Sequence, residues 1–156
     1  MSLEFIGRPH DFDFLVGRWT IANRRLKQRH AGGDDWDEFP GTSQAWSHLD
    51  GLLSVDENDF AARGFTGATI RTLNLATQRW SIYWVNSRTG HLQPPVIGGW
   101  SGDRGEFIGI DDDEGRPVLV RFVWKRLGAD HAHWEQAFSL DGLEWETNWM
   151  MDLRRA

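Results

Sequence analysis

Residues 78 to 88 read QRWSIYWVNSR. On a strand, where successive side chains point to opposite faces, Trp80, Ile82 and Trp84 share one side while Ser81, Tyr83 and Val85 share the other. A strand from a sheet with one wet face alternates apolar with polar residues. Here both sides carry bulk, so something must lie against each of them.

The rest of the chain supplies the sheet. Gly occurs 17 times in 156 residues and, with Asp and Asn, cuts the sequence at fairly regular intervals into short β-prone runs. These fall near 18–29, 36–48, 53–60, 65–74, 79–86, 95–101, 105–111, 117–126, 131–139 and 144–152. Between them LDGLL (49–53), NLATQ (74–78), SGDRGE (101–106), DDDEGRP (111–117) and SLDGLE (139–144) have the composition of tight turns joining neighbours. One segment reads as helical: in PHDFDFLVG (9–17), Phe12, Leu15 and Val16 form one face and Gly17 stops the turn.

About ten antiparallel strands leave two open edges unless the sheet closes on itself. The expectation is therefore an all-β fold: one antiparallel up-and-down barrel of about ten strands, preceded by a short helical turn and filling residues 1–156 as a single domain. One face of Trp80–Val85 then points into the lumen, and the N-terminal turn or a partner covers the other. A barrel of this strand number encloses more room than small side chains fill, so its interior is either plugged by large rings or left as a ligand cavity. Ten Trp and nine Phe, against three Met and one Tyr, can do either.

Composition narrows the classes of function. Without Cys there is no disulfide framework, thiolate metal site or cysteine nucleophile. The opening residues carry charges throughout and do not read as a signal peptide, and no run of about 18 apolar residues could span a membrane. A soluble, cytoplasmic protein is expected. A net charge of -6 argues against nucleic acid. The exception is RRLKQRH (24–30), whose cations fall on both faces of a strand and read as a solvated ribbon.

Three stretches carry a resemblance: FDFLVGRWTIANRRL (12–26), WSIYWVNSR (80–88) and WEQAFSLDGLEWETNWMMD (134–152). Together they resemble a family of small bacterial proteins, the domain-of-unknown-function 1579 type, with a lipocalin-like, calycin-type barrel. Gly17 and Trp19 also look like the Gly-x-Trp opening of lipocalins, in which the Trp closes one barrel end. The resemblance implies a fold and brings no substrate, so function rests on the site.

Polar residues on the strands are the candidates for that site. Arg71 in ATIRTL could aim its charge at a ligand carboxylate in the lumen, or stand exposed. Tyr83, the only tyrosine, needs a partner for its hydroxyl if buried. If the ring-bearing faces of the late strands point inward, Trp134, Gln136 and Phe138 line the lumen with Trp145, Thr147, Trp149 and Met151, and Arg121, Glu135 and Asn148 form an outer ladder. If the reverse holds, Arg121 and Glu135 make an internal ion pair. Loop NSRTGHLQPP (86–95), with Arg88 and His91, is the candidate mouth. His131 and His133 share a strand face without a third ligand, and DDDE (111–114) reads as a hairpin turn, so neither a metal nor a cofactor is expected.

Two functions follow. In the first, a small apolar or amphipathic ligand, which an arginine would suit to an acid, is held in the lumen by Arg71, Tyr83, Trp84, Gln136 and Trp149. In the second, a cofactor-free lyase or isomerase uses Arg121 to anchor an acid, Glu135 to move a proton and Tyr83 to assist. The facing of Arg121 separates them: inward favours the enzyme, outward the binder. The expected partner is a small molecule rather than nucleic acid or membrane, and a homodimer stays open.

Overall fold

The computed structural model describes residues 4–156. Ten strands follow one another: β1 (Gly17–Leu26), β2 (Trp36–His48), β3 (Leu53–Phe60), β4 (Phe65–Asn74), β5 (Arg79–Asn86), β6 (Val96–Ser101), β7 (Arg104–Asp113), β8 (Arg116–Gly128), β9 (His131–Ser139) and β10 (Glu146–Arg155). Each pairs antiparallel with its neighbours in sequence. Pairing of β1 with β10, from Trp19 opposite Arg155 to Arg25 opposite Trp149, closes the sheet into the expected up-and-down barrel. Among the described residues, no helix is long and apolar enough to cross a membrane.

Five strands depart from the expected boundaries, β1 and β10 furthest and for identifiable reasons. β1 stops at Leu26 because residues 27–35 leave the sheet, where Arg29 and His30 bind Asp113 in the β7–β8 turn. β10 begins late because the Asp141 carboxylate accepts the backbone N–H groups of Leu143 and Glu144, at 2.8 and 2.9 Å, and holds them in a turn.

The N-terminal turn is a 3-10 helix, Asp13–Leu15. With three residues per turn it eclipses positions three apart. Phe12 and Leu15 therefore enter the core together, whereas Val16, expected beside them, is rotated out and 43% exposed. Phe12 sits edge-on to Trp80 (4.9 Å), Trp100 and Trp124, and together these rings cap one end of the barrel. Trp80 Nε1 donates to Asp11 at 3.0 Å, giving the buried indole its partner. Trp19 stands at the same end. Its Nε1 donates to the Leu15 carbonyl at 2.8 Å, and the Arg155 guanidinium lies 4.3 Å from its ring.

At the far end Phe39, Phe60, Phe65 and Trp149 pack together. The ladder is weakest between β5 and β6, which pair only from Trp80–Gly98 to Ile82–Val96. Pro94 and Pro95 have no N–H to extend it. Beyond that point β5 diverges, held to the 87–95 loop by a bridge between Val85 and Leu92.

Candidate functional site

The inner face of the barrel is a shaft of rings. Trp19, Trp84, Phe122, Trp124, Trp134 and Trp149 line it, with Ile82, Met151 and Leu153 between them. Trp134 stands edge-on to Trp149 (5.6 Å) and to Phe122 (5.0 Å), so neighbouring rings brace one another. The rings do not close the shaft. About 50 Å³ of it admits the centre of a water molecule, inside a non-atom space of about 630 Å³ that includes its opening. On that measure a single water needs roughly 10–15 Å³, so there is room for a few waters or one thin, flat group before any ring moves.

A gap in the hydrogen-bonded wall of the barrel, a window, lies where β5 and β6 part. Ile82, Trp84, Phe122 and Gln136 line both the shaft and a smaller recess walled by Gln93, Pro94, Ile110 and Asp111. This window adjoins the loop predicted as the mouth, although Arg88 and His91 themselves stand exposed on that loop.

Polar groups cluster on β2, β3 and β4. Arg71, almost wholly buried, donates from Nη1 to Ser54 Oγ at 3.1 Å and from Nη2 to Asp56 Oδ2. Asn58 Nδ2 donates to the other Asp56 oxygen at 2.9 Å. The guanidinium is also stacked between Phe12 (4.9 Å) and Trp124 (5.5 Å). Arg71 does enter the lumen, but its charge is not free for a ligand carboxylate. The β3–β4 register sets Ser54 opposite Arg71 and Asp56 opposite Thr69, so the carboxylate is a diagonal neighbour within reach. Ser43, Asn58 and Thr69 present the remaining hydrogen-bonding groups to the shaft.

Gln136 lines the shaft and donates from Nε2 to Asn148 Oδ1 at 2.8 Å. Asn148 is the extra residue of a β-bulge, which leaves Thr147 opposite Ala137 and Trp149 opposite Gln136. Strict alternation put Thr147 inside and Asn148 outside; the bulge exchanges them. Thr147 and Trp145 share the outer face, and Asn148 turns inward.

Trp84 and Trp149, like Arg71 and Gln136, stand in the shaft. Tyr83 does not. It lies on the outer face of β5 in a row with Ile70, Val55 and Trp46 on the adjoining strands. The second side of QRWSIYWVNSR is thus part of the barrel's exterior, half-buried by its neighbours and not covered by the N-terminal turn. Arg121 also points outward, its guanidinium 4.6 Å from the Trp145 ring, and Glu135 bonds His133 at 3.1 Å on the outer face. Arg121, Glu135 and Tyr83 therefore share no pocket in which acid–base chemistry could occur. His131 is engaged by Asp152, and Asp113 of the DDDE turn by Arg29 and His30.

Sequence reasoning missed Asp56, Asn58, Ser43 and Thr69. The signal was present in β3, where Ser54, Asp56 and Asn58 share a face with Phe60. A rule that sends apolar residues inward chooses Val55 instead, because it does not count the cation waiting on β4.

Compared with the profiles of known families and with the sequences of curated proteins, the chain matches none.

Proposed function

We propose that the barrel is a lipocalin-like binding protein for a small, largely apolar or amphipathic molecule. The ligand enters through the window beside Gln93 and Pro94 and lies among Trp84, Phe122, Trp134 and Trp149. Its inner end meets Asn58, Thr69 and Ser43. The observation that supports this reading is that four residues, Ile82, Trp84, Phe122 and Gln136, line both the shaft and the recess at the window. An apolar site with a few convergent polar groups is the usual form of a small-molecule pocket.

The polar cluster favours a neutral inner end for the ligand. Asp56 neutralises Arg71, and a carboxylate pushed against the pair would face Asp56 as well. The narrow shaft favours a flat group, with rings swinging aside for anything larger. A titration with N-phenylnaphthylamine, an uncharged aromatic probe, tests the reading. Saturable quenching of tryptophan emission at one probe per chain is expected. Emission that stays unchanged up to the probe's solubility limit would mean that the rings form a solid core.

A further inference from the structure

The basic stretch Arg24–His30 is not a uniformly solvated ribbon. Arg24 points outward to Glu38, Lys27 pairs with Asp35, and Arg29 with Asp113. Arg25, still on β1, has the parity of Trp19, Ile21 and Asn23, and so faces into the far end of the barrel. Its guanidinium lies 4.5 Å from the Trp149 ring and 5.9 Å from the Phe65 ring. From the other side of the rim Arg88 brings a second guanidinium to 4.7 Å from the same Phe65 ring.

Two like charges converging on one ring repel each other. A structural pair would be neutralised, as Asp56 neutralises Arg71. Here, among the described residues, neither cation has a carboxylate within 4.0 Å. Asp37, which faces Arg25 across the β1–β2 ladder, is held by Arg63 through both of its oxygens. Asp113 is likewise taken by Arg29 and His30. Arg88 donates to the Arg63 carbonyl, and among the described residues the Arg25 guanidinium has no hydrogen-bond partner. Burial first, then Arg29 and Arg88, pull the Arg25 pKa down, against a smaller upward pull from Asp37. In a chain with six more acidic than basic side chains, this is a gathering of unneutralised cations around an apolar floor.

We infer that Arg25 and Arg88 form an anion-binding site over Phe65 at the far end of the barrel, which takes a carboxylate or phosphate group. An anion between them would supply the charged acceptor that both forks lack. Trp149 lies under Arg25 and also lines the shaft, so on the ligand-binding reading proposed above the anion is the head group of an amphipathic ligand whose apolar part passes Trp149. The neutral inner end and the charged outer end then define one molecule, acidic at the rim and apolar within.

The test compares a dansyl-labelled fatty acid with its methyl ester on wild type, Arg25→Gln, Arg25→Lys and Arg88→Gln. Wild type is expected to prefer the acid by about tenfold or more, as charge-assisted hydrogen bonds allow. The preference should weaken as salt is raised, fall below about threefold in either Gln variant and partly return in Arg25→Lys, with ester affinity unchanged throughout. Equal binding of acid and ester by wild type, or a preference that survives both Gln substitutions, overturns the site. Arg88→Gln, on an exposed loop, carries the test should Arg25→Gln fail to fold. If neither probe binds, the lumen reading fails and inorganic phosphate decides this one. A saturable change in tryptophan emission that is lost in Arg88→Gln supports the site for a free anion, and no response overturns it.

Discussion

Asp56 on β3 and Arg71 on β4 meet inside the barrel, both buried, and among the described residues each is the other's one charged partner. Removing either leaves an uncompensated charge out of water, at a cost of about 3–5 kcal/mol, whereas replacing both by apolar residues of similar size is close to neutral. Asp56→Asn and Arg71→Gln should each show that loss in urea melts, and Asp56→Leu/Arg71→Met should recover most of it. A single variant that loses less than about 1 kcal/mol would mean that water reaches the pair freely.

Trp19 closes the end of the shaft under the 3-10 turn, with its N–H and its ring face both engaged. Trp19→Ala should destabilise by about 3–5 kcal/mol, as ring-to-alanine changes in a core do. A loss under about 1 kcal/mol in denaturant melts would show that Trp19 does not plug the end.

Gly67 makes room for Trp84. A Cβ at this position would lie 2.0 Å from the Trp84 ring, far inside contact distance, so Gly67→Ala must push the ring off its seat. Overpacking of this kind costs roughly 1–3 kcal/mol. The variant should lose near-ultraviolet circular dichroism from Trp84 and bind N-phenylnaphthylamine with altered affinity. An unchanged near-ultraviolet spectrum would contradict this placement of Trp84.

The β1–β2 loop is latched to the β7–β8 turn by acid-sensitive contacts. Arg29, then His30, hydrogen-bond to Asp113 and hold its carboxyl below the usual carboxylate range. A depressed folded pKa gives stabilisation that is complete above the unfolded value, near 3.9, and lost as pH falls through the folded one. The protected Arg29 Nε–H signal in NMR spectra should therefore persist down to about pH 5 and fade only below about pH 4. In Asp113→Asn it should be missing throughout. Loss of the signal well above pH 5 in wild type would contradict the latch.

The barrel was legible because its information is local. In 36–48, 53–60, 65–74, 79–86 and 131–139, turn residues and alternation coincide with β2, β3, β4, β5 and β9. The site was only partly legible because its information is relational. Trp84, Gln136 and Trp149 follow from alternation once the ring-bearing faces are taken as the inner ones. Asp56 faces inward only because Arg71 does, and Asn148 only because a bulge shifts the phase of β10. Tyr83 drew attention as a lone hydroxyl among rings, yet parity with Ser81 and Val85 had already put it on the face opposite Trp84. Arg25 required the converse: parity with Trp19 outweighed the preference of a cation for water, because at the rim its guanidinium lies over the Trp149 ring.

Fluorine NMR of protein labelled with fluorotryptophan tests most directly whether the lumen is open and ring-lined. Of the ten tryptophans, Trp19, Trp84, Trp124, Trp134 and Trp149 line the shaft, while Trp36, Trp46 and Trp145 stand on the outer face. Saturating N-phenylnaphthylamine should shift the signals of the shaft group, Trp84 and Trp149 most, and leave the outer group in place. Shifts confined to Trp36, Trp46 or Trp145, or no shift at all, would contradict a ligand site inside the barrel.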